Sequence, residues 1–279
     1  MLKKYTLVNI FIYPVKSLAG ISLNSARVET EGLQFDRRWM LVDRNNVFLT
    51  QRTKPEMALI NTEIKEKGLE LSHKRKSLPK LFIPFNEHSG ETATVKIFDD
   101  KVKANFVSGE ADRWLSIATG TECRLVTLSD KYKRYVNKKY AHNNETVGFA
   151  DGFPFLILGK SSLDLLNSKL TEEVPVNRFR PNFVFTGGNA HDEDNWLTIK
   201  IGSIIFDVVK PCARCVIPSI DQNTGIKNKE PLSTLSKYRR SGNKILFGQN
   251  LIARNSGFVN LGDGLEILEY KKERNNFEN

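Results

Sequence analysis

The sequence predicts a mainly β protein with a few helices (α+β), in which the strands form sandwich-like or barrel-like units. Most of the first hundred residues are short β-branched and aromatic runs separated by Gly, Asn and Asp, the pattern typical of such folds. Runs of the same kind resume after residue 120, and only three stretches have the apolar spacing of a helix. No stretch approaches the roughly 18 consecutive apolar residues of a spanning helix, so no membrane span is expected.

The first part of the chain is predicted to consist mainly of strands. They are predicted at Thr6–Tyr13, Ile21–Val28, Trp39–Asp43, Val47–Gln51, Ala58–Ile64, Leu69–Ser72, Lys80–Ile83 and Thr94–Phe98. Asn45-Asn46 is a suitable hairpin turn, because asparagine tolerates the left-handed backbone that such turns use. The basic segment Ser72–Lys80 has no apolar periodicity and is predicted to be a solvated loop.

Three helices are predicted between later strands. Glu110–Ala118 has Ser108 as a suitable N-cap and Gly120 to end it. Ser162–Leu170 places leucines on one face, and Leu232–Arg239 begins after a proline and ends among cations. The later strands are predicted at Cys123–Leu128, Phe155–Leu158, Asn182–Phe185, Leu197–Ile201, Ile204–Val209, Ile245–Ala253 and Phe258–Ile267, with a tight hairpin at Gly202-Ser203.

The charge balance predicts an anionic ligand or partner. The 279 residues include 42 Lys and Arg against 32 Asp and Glu, a net charge of +10. The three cysteines do not make the disulfide framework of a small secreted protein, so a reducing compartment is expected. The stretch Tyr5–Val15 follows two lysines but lacks an Ala-x-Ala-like cleavage site. We therefore expect it to be the first strand of a cytoplasmic protein.

The C-x-x-C motif formed by Cys212 and Cys215 has several interpretations. A structural zinc site needs four ligands, and neither Cys123 nor the four scattered histidines add a second motif with ligand spacing. A thioredoxin-like pair is indicated when a helix starts at the first cysteine. Here the pair is followed by Val216-Ile217-Pro218, a sequence typical of extended chain. Two further interpretations remain open. Either both cysteines are buried and inert, or one is a thiolate bound to a soft transition metal and the other supports it.

Six dispersed motifs resemble those of the MOSC family, named for the C-terminal domain of molybdenum cofactor sulfurase. They are Tyr13-Pro14-Val15-Lys16-Ser17, Phe35 to Trp39 with Thr50-Gln51-Arg52, Gly148 to Pro154, Asn177 to Asn182, Pro211 to Cys215, and Phe247 to Asn250. The leading part resembles the β-rich N-terminal MOSC domain of bacterial reductases of N-hydroxylated compounds and of the mitochondrial amidoxime-reducing component. The resemblance covers roughly residues 5 to 268. It implies a β-barrel-like N-terminal MOSC domain at 1–120, a β-barrel-like MOSC domain at 121–270 and a polar tail at 271–279.

The cofactor implied by this resemblance is the molybdenum cofactor, Mo-molybdopterin. Such a group needs cations and hydroxyl or backbone donors for its phosphate, polar partners for its pterin and one anionic ligand for its metal. By resemblance the metal ligand and catalytic residue is Cys215, and the cofactor-binding residues are Lys16, Ser17, Arg37, Asp151, Gly152, Phe153, Arg180 and Asn182. Some relatives have a hydroxyl residue in place of Phe153, so contacts in that loop are expected from backbone groups. Arg38 and Arg52 offer further fork-shaped donors, and Cys212 has no firm role.

The function implied by the resemblance is two-electron reduction of small N-hydroxylated substrates by cleavage of their N–O bond. Some bacterial relatives continue into a [2Fe–2S] domain, and no cysteine follows Cys215 here. Electrons are therefore expected from a separate flavoprotein, ferredoxin or cytochrome-like donor, acidic enough to dock on basic segments such as Ser72–Lys80 and Lys131–Lys139.

Two alternative functions come from other classes. A non-redox MOSC protein would carry the cofactor, or transfer sulfur through a persulfide on Cys212 or Cys215. A nucleic-acid module is suggested by the charge and by Lys131-Tyr132-Lys133-Arg134-Tyr135. Because the basic residues are scattered and the acids plentiful, no nucleic-acid partner is expected.

Overall fold

A computed structural model describes residues 5–129 and 132–271, of which 42% lie in strands and 16% in helices. The strands are β1 (Tyr5–Ile12), β2 (Ile21–Leu23), β3 (Ser25–Glu29), β4 (Gly32–Leu33), β5 (Trp39–Val42), β6 (Ile60–Lys65), β7 (Gly68–His73), β8 (Leu81–Pro84), β9 (Thr92–Ile97), β10 (Asp100–Phe106), β11 (Arg124–Leu128), β12 (Phe155–Gly159), β13 (Phe183–Thr186), β14 (Trp196–Ile201), β15 (Ile204–Ala213), β16 (Arg240–Ser241), β17 (Lys244–Ala253), β18 (Gly257–Asn260) and β19 (Gly264–Tyr270). The helices in this part of the chain are α1 (Gly109–Thr119), α2 (Lys160–Asn167) and α3 (Leu232–Tyr238), with short 3₁₀ turns at Pro55–Leu59, Val176–Phe179, Asp192–Asn195 and Ile217–Ser219. The prediction of a mainly β fold is confirmed.

Seven strands close into a barrel. Their order is β12-β13-β1-β19-β14-β15-β17, and β17 pairs back with β12 to complete the ring. All of these pairs are antiparallel except β12 with β13. Inward-facing aromatic side chains fill the interior, and Phe183 and Phe206 meet with ring centroids 5.5 Å apart. Such rings bury much apolar area per residue, which stabilises a closed barrel of this size.

A second unit lies beside the barrel and is built from residues that precede position 130. It contains the sheet β5-β11-β10-β9 and the smaller sheet β6-β7-β8. Helix α1 packs its apolar face, including the buried Leu115 and Ala118, against the same core as Leu69 and Leu71. Strand β1 precedes this unit but lies in the barrel, so the chain leaves the barrel and later returns to it. The predicted boundary near residue 120 stays a prediction.

Local signals in the sequence placed several turns and caps correctly. The hydroxyl of Ser108 accepts a hydrogen bond from the Ala111 backbone N–H at the start of α1, and Gly120 ends this helix with φ 66°. Asn46 adopts φ 58° in its predicted turn, and Gly202 adopts φ 57° between β14 and β15. Each of these positions has the left-handed backbone that glycine and asparagine tolerate best.

Some predicted strands were wrong in place or extent. Val47–Gln51 is not a strand, since only Val47 and Phe48 form isolated bridges and the chain then turns. Phe258–Ile267 is interrupted by a turn and forms β18 and β19. Strand β10, which pairs with both β9 and β11, was not predicted because its lysines and asparagine obscure the alternation of buried residues.

The basic segment Ser72–Lys80 begins at the end of β7 and is mostly exposed from Arg75 to Lys80, as predicted for a solvated loop. The ammonium of Lys76 donates to the carbonyls of Ile117 and Ala118, where the negative end of the α1 dipole favours a cation. Lys131 of the second basic segment and residues 272–279 of the predicted tail lie outside the described residues. Within residues 5–129 and 132–271, no helix is long and apolar enough to cross a bilayer.

Candidate functional site

A cleft lies between one end of the barrel and the unit formed by the earlier residues. Its empty volume, including space open to solvent, is about 770 Å³. Both chain regions contribute charged and thiol-bearing side chains to its lining: Lys16, Arg37, Arg52, Asp151, Arg180, Cys212, Arg214 and Cys215. Five cations therefore face one carboxylate, and the cleft is suited to an anionic ligand.

The turn that follows β1 brings Lys16 and Ser17 to this cleft. The backbone N–H of Lys16 donates to the carbonyl of Trp39 over 2.8 Å, which ties the end of the barrel strand to the second unit. Ser17 adopts φ 68°, a left-handed conformation that is strained for a residue with a side chain. Within the described residues the Ser17 hydroxyl has no hydrogen-bond partner, so it is available to a ligand in the cleft.

Lys16, Asp151 and Arg52 form a linked group of charges. Oδ1 of Asp151 accepts from the Lys16 ammonium, and Oδ2 accepts from the Arg52 guanidinium over 2.7 Å. Burial lowers the pKa of Lys16 to about 8, against the opposing effect of Asp151. Desolvation in the cleft acts to raise the pKa of Asp151, but the charges of Lys16 and Arg52 outweigh it and hold that pKa well below its usual range.

Arg37 and Arg180 both lie over the ring of the buried Tyr13. Their guanidinium carbons are 4.6 and 4.1 Å from the ring centroid, distances typical of cation–π contacts. Asp36 binds Arg37, whose pKa is raised despite the opposing effect of burial, and burial lowers the pKa of Arg180 to about 10. The Arg180 guanidinium donates to the Leu18 carbonyl over 2.7 Å, while its Nη2 is buried and has no hydrogen-bond partner among the described residues. A buried guanidinium nitrogen of this kind requires an acceptor, and a ligand in the cleft would supply one.

Asn182 lines the cleft, but its carboxamide is occupied by the protein. Its Oδ1 accepts from the Leu156 backbone N–H over 3.1 Å and, at 3.5 Å, from Arg37. Its Nδ2 donates to the Phe11 carbonyl over 3.1 Å. The Asn182 side chain thus links β1 to β12 and orients Arg37, and these roles do not depend on a ligand.

The loop 148–153 is held by Arg134. This arginine is 6% exposed and donates to the carbonyls of Gly148 and Asp151, each over 3.0 Å, and to that of Ala150. It is also paired with Asp100 over 2.7 Å. Because one guanidinium binds three carbonyls of this loop, the loop has a fixed shape at the cleft wall.

The far end of this loop presents backbone and an aromatic ring to the cleft. A Cβ atom built at Gly152 would meet nothing within 4 Å, so the backbone there is open to a flat ligand. The Phe153 ring lines the cleft and makes an edge-to-face contact with Tyr140, with ring centroids 5.3 Å apart.

Both cysteines of the C-x-x-C motif are half-buried and line the cleft at the end of β15. The guanidinium of Arg214 donates to Sγ of Cys212 over 3.0 Å and to the Phe179 carbonyl over 2.6 Å. Burial acts to lower the pKa of Arg52, but Asp151 and, after it, Cys215 outweigh this effect and raise that pKa. Cys212 and Cys215 therefore each lie beside an arginine side chain.

The structure brings all the site residues expected from the sequence to one cleft: Lys16, Ser17, Arg37, Asp151, Gly152, Phe153, Arg180, Asn182 and Cys215. Arg38 does not reach it, because its guanidinium pairs with Glu29 over 2.7 Å and with Glu31. Across residues 5–129 and 132–271 there is no group of three or more His, Cys, Asp and Glu side chains that could hold a metal ion. A metal bound here would need most of its ligands from elsewhere.

Three residues that shape the cleft were not among the site residues expected from the sequence: Gln222, Arg134 and Gln51, the last of which was named only within a motif. Gln51 and Gln222 form a reciprocal pair of amide hydrogen bonds of 3.1 and 3.0 Å, and Gln51 also donates to the Ser17 carbonyl over 2.7 Å. This pair joins the turn after β1 to the segment that follows Cys215. Arg134 was considered only as part of a basic stretch. No local signal marks such residues, because their partners are distant in the sequence.

Comparison with known proteins gives matches over both parts of the chain. Residues 4–122 match the MOSC N-terminal beta barrel domain, and residues 144–266 match the MOSC domain. Mitochondrial amidoxime-reducing component 1 of Mus musculus is 30% identical over 94% of this chain and 82% of that protein. Mitochondrial amidoxime reducing component 2 of Homo sapiens is 32% identical over 84% of this chain and 72% of that protein.

Molybdenum cofactor sulfurases match as well. That of Oryza sativa subsp. japonica is 33% identical over 86% of this chain, but the match covers 31% of that protein. The chain therefore spans about one third of the length of this longer relative.

Proposed function

The chain belongs to the MOSC family, with the MOSC N-terminal β-barrel and MOSC domains both present, and we propose that it is a molybdenum-cofactor-dependent reductase of small N-hydroxylated compounds. The observation that carries the proposal is the cleft itself, in which five cations surround a single carboxylate and two thiols stand at one end. Relatives named for amidoxime reduction match most of the chain at about 30% identity, which supports a substrate containing an N–O bond.

The residues of the cleft fit such a cofactor. Lys16, Arg37 and Arg180 would hold its phosphate, and the unpartnered Nη2 of Arg180 and hydroxyl of Ser17 offer donors that no described protein group uses. The open backbone at Gly152 would lie against the pterin. Cys215 would bind the metal, because a thiolate suits a soft transition metal and this side chain lines the cleft just after β15.

When bound, the cofactor supplies the two-electron chemistry that removes oxygen from nitrogen. The overall reaction consumes two electrons and two protons. The N–O bond breaks, the nitrogen takes up one proton, and the hydroxyl group takes up the other and leaves as water. The protein's part is to hold and orient. Arg134 fixes the loop that carries Asp151, the Gln51–Gln222 pair fixes Ser17 against the segment after Cys215, and the cations neutralise the anionic ligand.

Electrons would come from a separate donor protein. The free cysteines among the described residues are Cys123, Cys212 and Cys215. Of these, Cys123 is buried in the core of the second unit and does not line the cleft. We therefore propose a donor that docks at the cleft mouth, with an acidic surface to match the basic balance of the chain.

The deciding experiment compares Cys215→Ser with Cys123→Ala in protein loaded with the cofactor. Reduction of benzamidoxime to benzamidine with reduced methyl viologen as electron source should be lost in Cys215→Ser and kept in Cys123→Ala. Metal content and the fluorescence of the oxidised pterin released on heating are measured on the same samples. An active Cys215→Ser enzyme would refute the assignment of the thiolate.

A carrier of the cofactor or a persulfide sulfur transferase is the second candidate. It is favoured by Cys212, which lines the same cleft with the Arg214 guanidinium on its Sγ, and by the sulfurase relatives. Cofactor-loaded protein that reduces no N-hydroxylated compound, but carries a sulfur removable by dithiothreitol on Cys212 or Cys215, would support this candidate against the reductase.

A further inference from the structure

The outer face of the β9–β10 hairpin carries three lysines, which form a lysine face. Lys96 and Lys101 are directly opposed across the two strands, and Lys103 follows on the same face. Their side chains are exposed, since the residues that alternate with them, among them Val95 and Val102, point into the core. None of the three forms an ion pair with a described carboxylate. Like charges directly opposite each other destabilise a pair of strands, and an anionic partner would relieve that repulsion.

The turn of this hairpin reaches the mouth of the cleft. The centroid of the Phe98 ring lies 5.0 Å from the guanidinium carbon of Arg52 and 5.6 Å from the Lys16 ammonium, and both cations line the cleft. Phe98 is nevertheless 38% exposed and adopts φ 53°, a left-handed backbone that is strained for an aromatic residue. The hairpin therefore holds an exposed ring beside the cleft in a conformation that its sequence does not favour.

The acids near the lysine face do not balance it. Asp99 is exposed in the turn. Asp100 is opposite a buried residue of β9, on the other side of the hairpin, and pairs with Arg134 over 2.7 Å. Asp43, in the loop that runs beside β9, accepts from two backbone N–H groups of its own loop. One free acid thus stands against three unpaired lysines, and the face has a positive charge.

An exposed aromatic ring beside a charged rim is typical of a protein interface. From this geometry, and resting on the proposed function, we propose that a small acidic electron-transfer protein docks on the lysine face, with Phe98 at the contact nearest the cleft. Phe98 touches Arg52, which lines the cleft together with Cys215, so a donor seated here lies close to the site that it reduces. Two encounters with a one-electron donor, each oxidising one donor molecule, supply the two electrons that one N–O bond requires.

The size of the face also suits such a partner. Electron-transfer encounters use small interfaces, and one face of a two-stranded hairpin offers a surface of that kind. A single-stranded nucleic acid would instead need a basic groove that follows its backbone over several nucleotides. The three lysines are confined to two neighbouring strands, so the arrangement favours a protein donor over a nucleic acid.

The test compares two electron sources for reduction of benzamidoxime by the cofactor-loaded protein. One is reduced plant-type [2Fe–2S] ferredoxin, a small acidic protein, and the other is reduced methyl viologen, which needs no docking surface. The double variant Lys96→Glu with Lys101→Glu should raise the KM for ferredoxin about tenfold at low salt and leave the viologen-supported rate within about twofold. Because this variant keeps like charges opposite each other, the repulsion within the hairpin is unchanged. About 0.5 M NaCl should bring the two KM values together, since it screens exposed charges.

The double variant Lys169→Glu with Lys237→Glu is the matched control. Both lysines are exposed, Lys169 just after α2 and Lys237 on α3, and the net charge changes by the same amount. These helices pack on a core that does not include the hairpin. The control should leave the KM for ferredoxin within about twofold. Calorimetry with oxidised ferredoxin gives a readout independent of turnover, and its Kd should rise about tenfold only in the hairpin variant.

The outcomes separate this proposal from the proposed function. Failure to reduce benzamidoxime with methyl viologen would refute the reductase function, whereas the calorimetry would still test the lysine face. Reduction with viologen but not with ferredoxin, or an equal KM for ferredoxin in the hairpin and control variants, would overturn the docking face and leave the reductase function standing. Tighter binding of a single-stranded oligonucleotide than of ferredoxin, lost in the hairpin variant, would also overturn it.

Discussion

Lys16 and Asp151 form an ion pair across the cleft whose two members differ sharply in exposure. The Lys16 side chain is 6% exposed, whereas that of Asp151 is 57% exposed. The lysine therefore loses most of its hydration and depends on protein partners, among them the Phe149 carbonyl at 2.7 Å. This asymmetry explains why burial lowers the pKa of Lys16 even though a carboxylate touches it.

Anion binding in the cleft should weaken as the pH rises through about 8. The pKa of Lys16 is lowered to about 8, so the ammonium that attracts an anion is fully present below this pH and is lost above it. Sulfate is a suitable probe, because it keeps its charge across this range. Calorimetric titrations between pH 6.5 and 9.5 should show a falling affinity for the wild type and a weak, nearly constant affinity for Lys16→Met. An affinity that is constant in the wild type would contradict the assignment.

Replacing Asp151 by asparagine should shift this pH dependence downwards. Asp151 raises the pKa of Lys16 against the effect of burial, so its removal leaves burial less opposed. The midpoint of the sulfate affinity in Asp151→Asn should therefore lie below pH 8. The same titration measures it, and an upward shift would show that Asp151 does not stabilise the ammonium.

Arg134→Met should destabilise the protein and release the loop 148–153. The substitution leaves three loop carbonyls without their donor, and we expect a loss of at least about 2 kcal/mol in the free energy of unfolding. Asp100→Asn is the control, because Asp100 is half exposed and the loss should stay below about 1 kcal/mol. Urea unfolding compares the two. Equal losses would mean that the ion pair, and not the carbonyls, is what Arg134 provides.

The Gln51–Gln222 pair should show strong coupling. Gln51→Leu leaves Oε1 of Gln222 and the Ser17 carbonyl without their donor, which costs about 1–3 kcal/mol. The double variant with Gln222→Leu removes both members of the reciprocal bonds and should recover part of this loss. A double-mutant cycle from urea unfolding is expected to give a coupling of at least about 0.5 kcal/mol. Additive losses would show that the two amides act independently.

The three cysteines should differ in their reactivity. Burial raises the pKa of Cys123, whose Sγ lies 3.8 Å from the hydroxyls of Ser116 and Thr119, and so its thiol should resist alkylation near neutral pH. Cys212 and Cys215 are half-buried in the open cleft and should react with iodoacetamide first. Mass spectrometry of peptides from native and urea-unfolded protein checks the order. Early labelling of Cys123 in the native protein would contradict it.

The sequence predicted best what depends on neighbouring residues. The caps of α1, the turn at Asn46 and the hairpin at Gly202 follow from local backbone preferences, and all three were confirmed. The motif residues of the cleft could be named because they recur together in a family pattern. Periodicity failed at β10, where polar residues obscure the alternation, and at Val47–Gln51, where β-branched and apolar residues form only isolated bridges before a turn.

The rest could not be predicted because its contacts join distant parts of the chain. The partners of Arg134 lie in the loop 148–151 and at Asp100, and those of Gln51 lie at Ser17 and Gln222. A buried polar residue leaves no periodic trace in the sequence, and its type gives no indication of its partner. The role of β1 in the barrel is also invisible locally, since any strand of its composition could belong to either unit.

Strand β1 has a consequence for synthesis on the ribosome. The end of this strand pairs with β2, which follows it directly, but Thr6 pairs with Thr186 and Tyr5 with Leu265, so the start of the strand waits for partners that are translated much later. Until β19 emerges, the apolar side chains of β1 have no complete barrel to enter, and the newly made chain depends on chaperones or on the early folding of its second unit to avoid association. Slow codons or a pause before position 264 would lengthen this vulnerable interval.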